Sequence, residues 1–223
     1  MALAGTWRGD DVPTLTGGST ILSRSALALT GLSTVLLLSA CQPASTGSAA
    51  PPVAGAANGP ASGLPVGTAP PDRVQPQPPP GSCHNRKVGR DTLPDAVCTP
   101  GATNPKVTEA TLRTTICRSG YTKDIRPSEN ITRREKVASM KSYADSGPPS
   151  KYEYDHLVSL ELGGSANDAA NLWPEPGASP NRKDRLENKL HSLVCAGSVP
   201  LATAQHDIAT DWITAYTRYV GGS

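Results

Sequence analysis

The 223-residue chain contains no phenylalanine, so aromatic packing falls to three tryptophans and six tyrosines. It also has little net charge, a formal +2 at neutral pH. Bulk charge therefore does not mark a nucleic-acid binder, and any such contact would need a local patch. No apolar run reaches the about 20 residues that cross a bilayer as a helix. The best candidate, Ala26 to Leu38, stops short of that length. Neither a Cys-x-x-Cys pair nor a Cys-x-x-His spacing occurs, which counts against a zinc-built scaffold. No helix-turn-helix or RNA-binding signature is evident, so recognition of a nucleic acid would be independent of its sequence.

Proline and glycine are present in excess, at 22 and 21 residues. Such content predicts that part of the chain is not globular. Arg24, the apolar run and the small residues Ser39 and Ala40 form a secretory pattern. Leu38-Ser39-Ala40-Cys41 is similar to a bacterial lipobox, in which cleavage before the cysteine leaves a thiol to be lipidated. Residues 1–41 are thus predicted to be a signal peptide with a lipobox. Cys41 would anchor the chain at the outer face of the cell membrane; a plain signal peptide cut near Ala40, giving a secreted protein, is the alternative. Residues 42–82 hold 11 prolines, no aromatic residue, and only Asp72 and Arg73 as charges. They are predicted to form a disordered linker, because they offer too little apolar surface to offset their chain entropy.

The folded domain is predicted to span residues 83–223, which carry Trp173, Trp212 and every tyrosine. Four cysteines lie there: Cys83, Cys98, Cys117 and Cys195. An even count in an exported domain reads as two disulfides, each stabilising by about 2–4 kcal/mol. Three pairings exist and spacing does not select one; Cys83–Cys98 with Cys117–Cys195 is the expected set. The pattern predicts loop over 83–105 and a helix or strand over 107–117. It predicts a helix capped by Thr132, with Val137 and Met140 buried. A strand is expected over Tyr152–Leu162 before the Gly163-Gly164 turn, and helices over Asn181–Val194 and from about Pro200 to Val220. The fold class is α+β.

Asp155-His156 is the sharpest local feature. Adjacent strand residues face opposite sides, so a half-buried strand would hold both only if each had work to do. Phosphodiester hydrolysis needs a hard cation, such as Mg²⁺, to neutralise the phosphate and a base to deprotonate water. Carboxylate and amide oxygens hold such a cation, and a histidine serves as the base. As an isolated dipeptide, Asp-His would more simply be a surface pair.

Its surroundings carry more. The string Asp155-His156-Leu157-Val158-Ser159-Leu160, then Gly163-Gly164, Asn167, Asn171-Leu172 and Asn181-Arg182-Lys183, resembles the HNH endonucleases of the ββα-metal, or His-Me finger, group. The stretch running through Trp173-Pro174-Glu175 to Cys195 is also similar to exported bacterial lipoproteins with HNH-like domains. The resemblance implies two strands and a helix gripping one divalent metal, Mg²⁺ in the first instance, with Mn²⁺ or Zn²⁺ as alternatives. It implies Asp155 as a metal ligand and His156 as the general base. Asn171 would orient the His156 ring, Asn181 would be the second ligand, and Lys183 would lie near the scissile phosphate. Asp184 and His191 are rivals for the second ligand. The implied function is non-specific endonuclease action by a monomer on DNA or RNA, and the alternative is an inactive cell-surface binding module. The segment Arg113–Lys141 has eight Lys/Arg against Asp124, Glu129 and Glu135, a stretch that could track a phosphate backbone or simply be a solvated face.

Overall fold

A computed structural model describes residues 62–221, and the predicted signal peptide and lipobox lie outside them. The architecture is mixed α and β, with two small antiparallel sheets and two disulfides. The first sheet pairs β1 (Arg86–Val88) with β2 (Asp91–Leu93) across the positive-φ turn at Gly89. A 3₁₀ helix at Glu109–Thr114 follows, which settles the helix-or-strand alternative for that region. Then come α1 (Tyr121–Ile125) and α2 (Glu129–Ser142). The second sheet pairs β3 (Tyr152–His156) with β4 (Leu172–Pro176), with Glu153 opposite Glu175 and Asp155 opposite Trp173. It leads into α3 (Arg182–Cys195) and α4 (Leu201–Tyr219). No helix among the described residues is long and apolar enough to cross a membrane.

The core forms where α3 and α4 pack on each other and on the turn at Leu160–Leu162 that follows β3, while α2 lies against β4. Leu186, Leu190 and Val194 make the inner stripe of α3, against Ala204, Ile208 and Trp212 of α4. Trp173, Leu157, Val158 and Leu162 complete it from the sheet and its connecting loop. Disulfides join Cys83 to Cys98 and Cys117 to Cys195, the expected set. The second crosses 78 residues and ties the end of α3 to the segment before α1.

Four boundaries differ from the sequence reading, each for a physical reason. The folded region begins before Cys83: Leu64 is buried, and Gly67 N–H and Thr103 N–H exchange hydrogen bonds with Thr103 and Pro65 carbonyls at 2.8 and 2.9 Å. Gln75 N–H donates to the buried Glu135 carboxylate, and Ser142 Oγ donates to the Pro78 carbonyl. Proline-rich backbone lacks internal partners, and here the domain supplies them. Helix α2 accordingly starts at Glu129, not Thr132, and turns Glu135, Ser139 and Ser142 inward to meet that arm, leaving Val137 exposed. The strand predicted to reach Leu162 ends at His156, because Leu160–Leu162 form a 3₁₀ turn closed by Gly163 in the left-handed region. The last helix is broken at Asp211, whose carboxylate accepts from the Ile213 and Thr214 N–H groups and so caps a second segment.

Candidate active site

Strand β3, the loop after it and the first turns of α3 surround a polar cleft of about 200 Å³. His156, Asp155, Glu153, Asp184, Glu187 and Arg126 are among the residues lining it. Asp155 and His156 are both recessed, 8% and 7% exposed. His156 Nε2 lies 3.0 Å from the Ala166 carbonyl oxygen. A carbonyl only accepts, so Nε2 carries the proton and Nδ1 is the ring's acceptor. Nδ1 has no hydrogen-bond partner among the described residues. Burial lowers the His156 pKa to about 4, with Arg126 and Lys183 adding to the effect and Ala166 and Asp155 opposing it. The ring is therefore neutral at pH 7.

Asp155 directs Oδ2 at two donors, Trp173 Nε1 at 3.0 Å and Lys183 Nζ at 2.8 Å. Its other oxygen has no hydrogen-bond partner among the described residues. The cross-strand register explains the indole contact, since Asp155 and Trp173 face each other on β3 and β4.

Three residues have different work from that implied by the resemblance. The Asn171 side chain makes no hydrogen bond to His156. Its side chain is fully buried, accepting from the Val158 and Ala102 N–H groups and donating to the Val158 and Ser165 carbonyls. It holds the loop that carries Ala166, and the Ala166 carbonyl orients the ring. Asn181 is the N-cap of α3: its Oδ1 accepts from Lys183 N–H at 2.7 Å and Asp184 N–H at 3.2 Å, which uses the oxygen a metal would need. Lys183 is 1% exposed, and its three protons go to Asp155 Oδ2, Glu187 Oε1 and the His156 carbonyl. It neutralises buried carboxylates and cannot extend to a phosphate. Burial opposes its charge, but Asp155, Glu187 and Glu175 together hold its pKa above the ordinary lysine value.

The rivals divide. Asp184 lines the cleft, with Oδ2 accepting from Asn181 N–H and Ser179 Oγ. His191 does not line it: Nε2 faces the Ile116 carbonyl at 2.9 Å and Nδ1 lies 3.7 Å from Glu161. Glu187 does not pair with His191 one turn on, because it turns inward to Lys183. Glu153, Glu175, Glu187 and Arg126 escaped the sequence reading. The first two had a signal in hindsight, since residues two apart on a strand share a face and Glu153 alternates with Asp155.

The cleft thus holds carboxylates in excess of its one buried ammonium. Burial, then repulsion from Asp155 and Asp184, raises the Glu153 pKa to about 7. Burial and Asp155 also raise Glu175 and Glu187, with Lys183 opposing. A carboxyl whose folded pKa is raised binds more protons in the folded state, so its stabilisation is full below about 4.5 and is lost as pH climbs through the raised value. His156 is neutral in both folded and unfolded states above about pH 6.5, so it does not oppose this trend there. The melting temperature is expected to fall between pH 6.5 and pH 9 in low-salt buffer. Glu153→Gln is expected to flatten the lower part of that decline in differential scanning fluorimetry.

The donor set suits a hard cation. Glu153 Oε2, Ser159 Oγ and Glu161 Oε2 are buried without a hydrogen-bond partner, and all three residues line the cleft. Among the described residues no three cleft carboxylates bring their oxygens within 4.8 Å of one another, so the chain itself would supply one or two carboxylate ligands to an ion there and water the rest. A second group, Cys117, His191 and Cys195, has donor atoms within 4.8 Å of one another and could hold a metal ion. Its two sulfurs are joined as a disulfide, so thiolate ligation there requires reduction.

Gly164 permits the Asn171 clamp. A Cβ at that position would lie 1.8 Å from the Val158 carbonyl oxygen and 2.8 Å from Asn171 Nδ2. Gly164→Ala is expected to cost about 1–3 kcal/mol in chemical denaturation, from overpacking against backbone that cannot yield.

No protein-family model, curated protein or solved structure matches the chain.

Proposed function

We propose that the chain is an exported, metal-dependent endonuclease of the HNH type, hydrolysing phosphodiester bonds of DNA or RNA with little sequence preference. The observation that carries this reading is the His156 ring, fixed through Nε2–H on the Ala166 carbonyl with Nδ1 left to accept a proton beside Asp155. In this reading Nδ1 takes a proton from the water that attacks phosphorus. Asp155, with Asp184 or Glu187, would hold the divalent ion. When bound, that ion neutralises the phosphate and stabilises the departing oxygen. Trp173 and Lys183 fix the Asp155 carboxylate so that one oxygen stays turned to the cleft. Arg126, which has no hydrogen-bond or ion-pair partner among the described residues, takes the phosphate-facing role that Lys183 is too buried to fill. The order of strand, strand and helix, with the Asp-His pair ending the first strand, supports the family reading. Two disulfides are consistent with an extracellular protein, and a lipid on Cys41 would keep it at the membrane.

A non-catalytic surface module is the second reading. It is favoured by the lysine on Asp155 and by the use of Asn181 as a cap. Incubating the protein with supercoiled plasmid separates the two. The nuclease reading expects nicking of the plasmid, or cutting of a single-stranded circular DNA run beside it, with Mg²⁺ or Mn²⁺ and none in EDTA; inertness on both across several divalent metals rejects it.

A further inference from the structure

We propose that the substrate is single-stranded nucleic acid, held in a groove that continues from the cleft. The choice of occupant rests on the nuclease reading above. Beside the cleft lies a wider groove of about 910 Å³. Arg126 borders both, and Ala166, whose carbonyl holds the His156 ring, forms part of the groove wall. A strand leaving the cleft at Arg126 therefore passes directly into it.

Two observations select the occupant. The first is charge. The groove has two acids, Asp72 and Asp124, and each is already paired with an arginine, Arg73 at 3.6 Å and Arg118 at 2.7 Å. Its two cations, Lys106 and Arg126, have no side-chain partner among the described residues. The groove is left with two uncompensated positive charges, which suit a polyanion. The second is the apolar wall, to which Ile125, Pro127 and Ile131 contribute. A duplex hides its base faces in the stack and presents phosphates and groove edges, so it would leave this wall unused. A single strand presents base faces that bury well on apolar surface. The recessed position of His156 agrees, because a flexible strand can bend into a narrow cleft and a stiff duplex resists bending.

The test is fluorescence anisotropy with the full chain in EDTA, using a fluorescein-labelled DNA oligonucleotide either single-stranded or annealed to its complement. The single strand is expected to bind about tenfold more tightly. Arg126→Ala is expected to weaken single-strand binding about tenfold, the size of one charged hydrogen bond, with Arg126→Lys restoring part of it. Lys106→Glu should weaken it as well. Both side chains are exposed, and an unchanged far-UV spectrum and melting temperature verify that the variants fold. Duplex binding as tight as single-strand binding, or indifference to Arg126→Ala and Lys106→Glu together, overturns the inference. Cleavage assays on the same probes separate the two claims. Single-strand binding that never yields cleavage with any divalent metal upholds the groove and rejects the nuclease reading. Efficient cleavage confined to duplex does the reverse.

Discussion

Lys183→Met is expected to destabilise the fold by about 3–5 kcal/mol, the range for removing one partner of a buried ion pair. The loss of attraction is the smaller part of this. The ammonium lies 1% exposed between Asp155 and Glu187, and methionine would fill its volume without its charge. Both carboxylates would then be stranded in a site where Glu153 and Glu175 already resist ionisation. The variant should relieve this by taking up protons. Its stability should therefore fall more steeply with rising pH than that of the wild type, since more of its carboxyls have raised values to be titrated. Urea denaturation at pH 6 and pH 8 measures both effects. The outcome also discriminates between roles. A lysine that touched phosphate would lose activity on substitution and keep its stability. Near-identical urea midpoints for variant and wild type would refute the structural role assigned here. Adding Glu187→Leu to Lys183→Met should recover part of the loss, because one stranded charge goes with it.

The same residue shows what could be read in the sequence and what could not. The 3.6-residue periodicity of Leu186, Leu190, Leu193 and Val194 specifies the helix and its apolar face, and the structure buries that face at all but Leu193. Lys183 sits on that buried face, yet a lysine there reads as a surface charge, because burial of an ammonium depends on partners from other elements. Asp155 arrives from β3, and only the fold brings it within 2.8 Å. Asn171 and Asn181 make the same point about amides. An asparagine can cap, clamp a loop or ligate a metal, and composition does not say which. Asn181 had a local clue, since Asn with Asp184 three residues on fits reciprocal capping, and that is what forms. Asn171 had none: its partners Ala102, Val158 and Ser165 come from two separate loops. The linker boundary failed for a related reason. Composition reports that residues 62–82 cannot fold alone, but not that α2 and the loop at Asn167 offer them partners, including the two hydrogen bonds from Asn167 Nδ2 to the Pro70 and Arg73 carbonyls. The disulfide set came out as expected, one short closure and one long.

His156→Ala is expected to lower the plasmid-nicking rate by about 10²–10⁴-fold, the usual contribution of a positioned base, while leaving the fold nearly as stable. The two halves of this expectation have separate causes. The ring makes a single hydrogen bond, to Ala166, so its removal strands one carbonyl beside a polar cleft that water can enter. Asn171, not His156, carries the loop. Catalysis is different, because few neighbouring groups could replace Nδ1. Asp155 and Glu187 are held by Lys183, Asp184 accepts from Asn181 N–H and Ser179 Oγ, and Arg126 cannot accept a proton, which leaves the Glu153 and Glu161 carboxylates, whose Oε2 atoms have no hydrogen-bond partner. The pH profile adds an independent check. Burial holds the His156 pKa at about 4, so the ring remains a competent acceptor well below the usual histidine range. The acid limb of the wild-type rate profile should accordingly fall near pH 4 to 5, not near 6.5. An acid limb near 6.5 would point to an ordinary exposed histidine as the base. Undiminished nicking by a correctly folded His156→Ala protein would remove His156 from the chemistry, and with it the observation on which the nuclease reading stands.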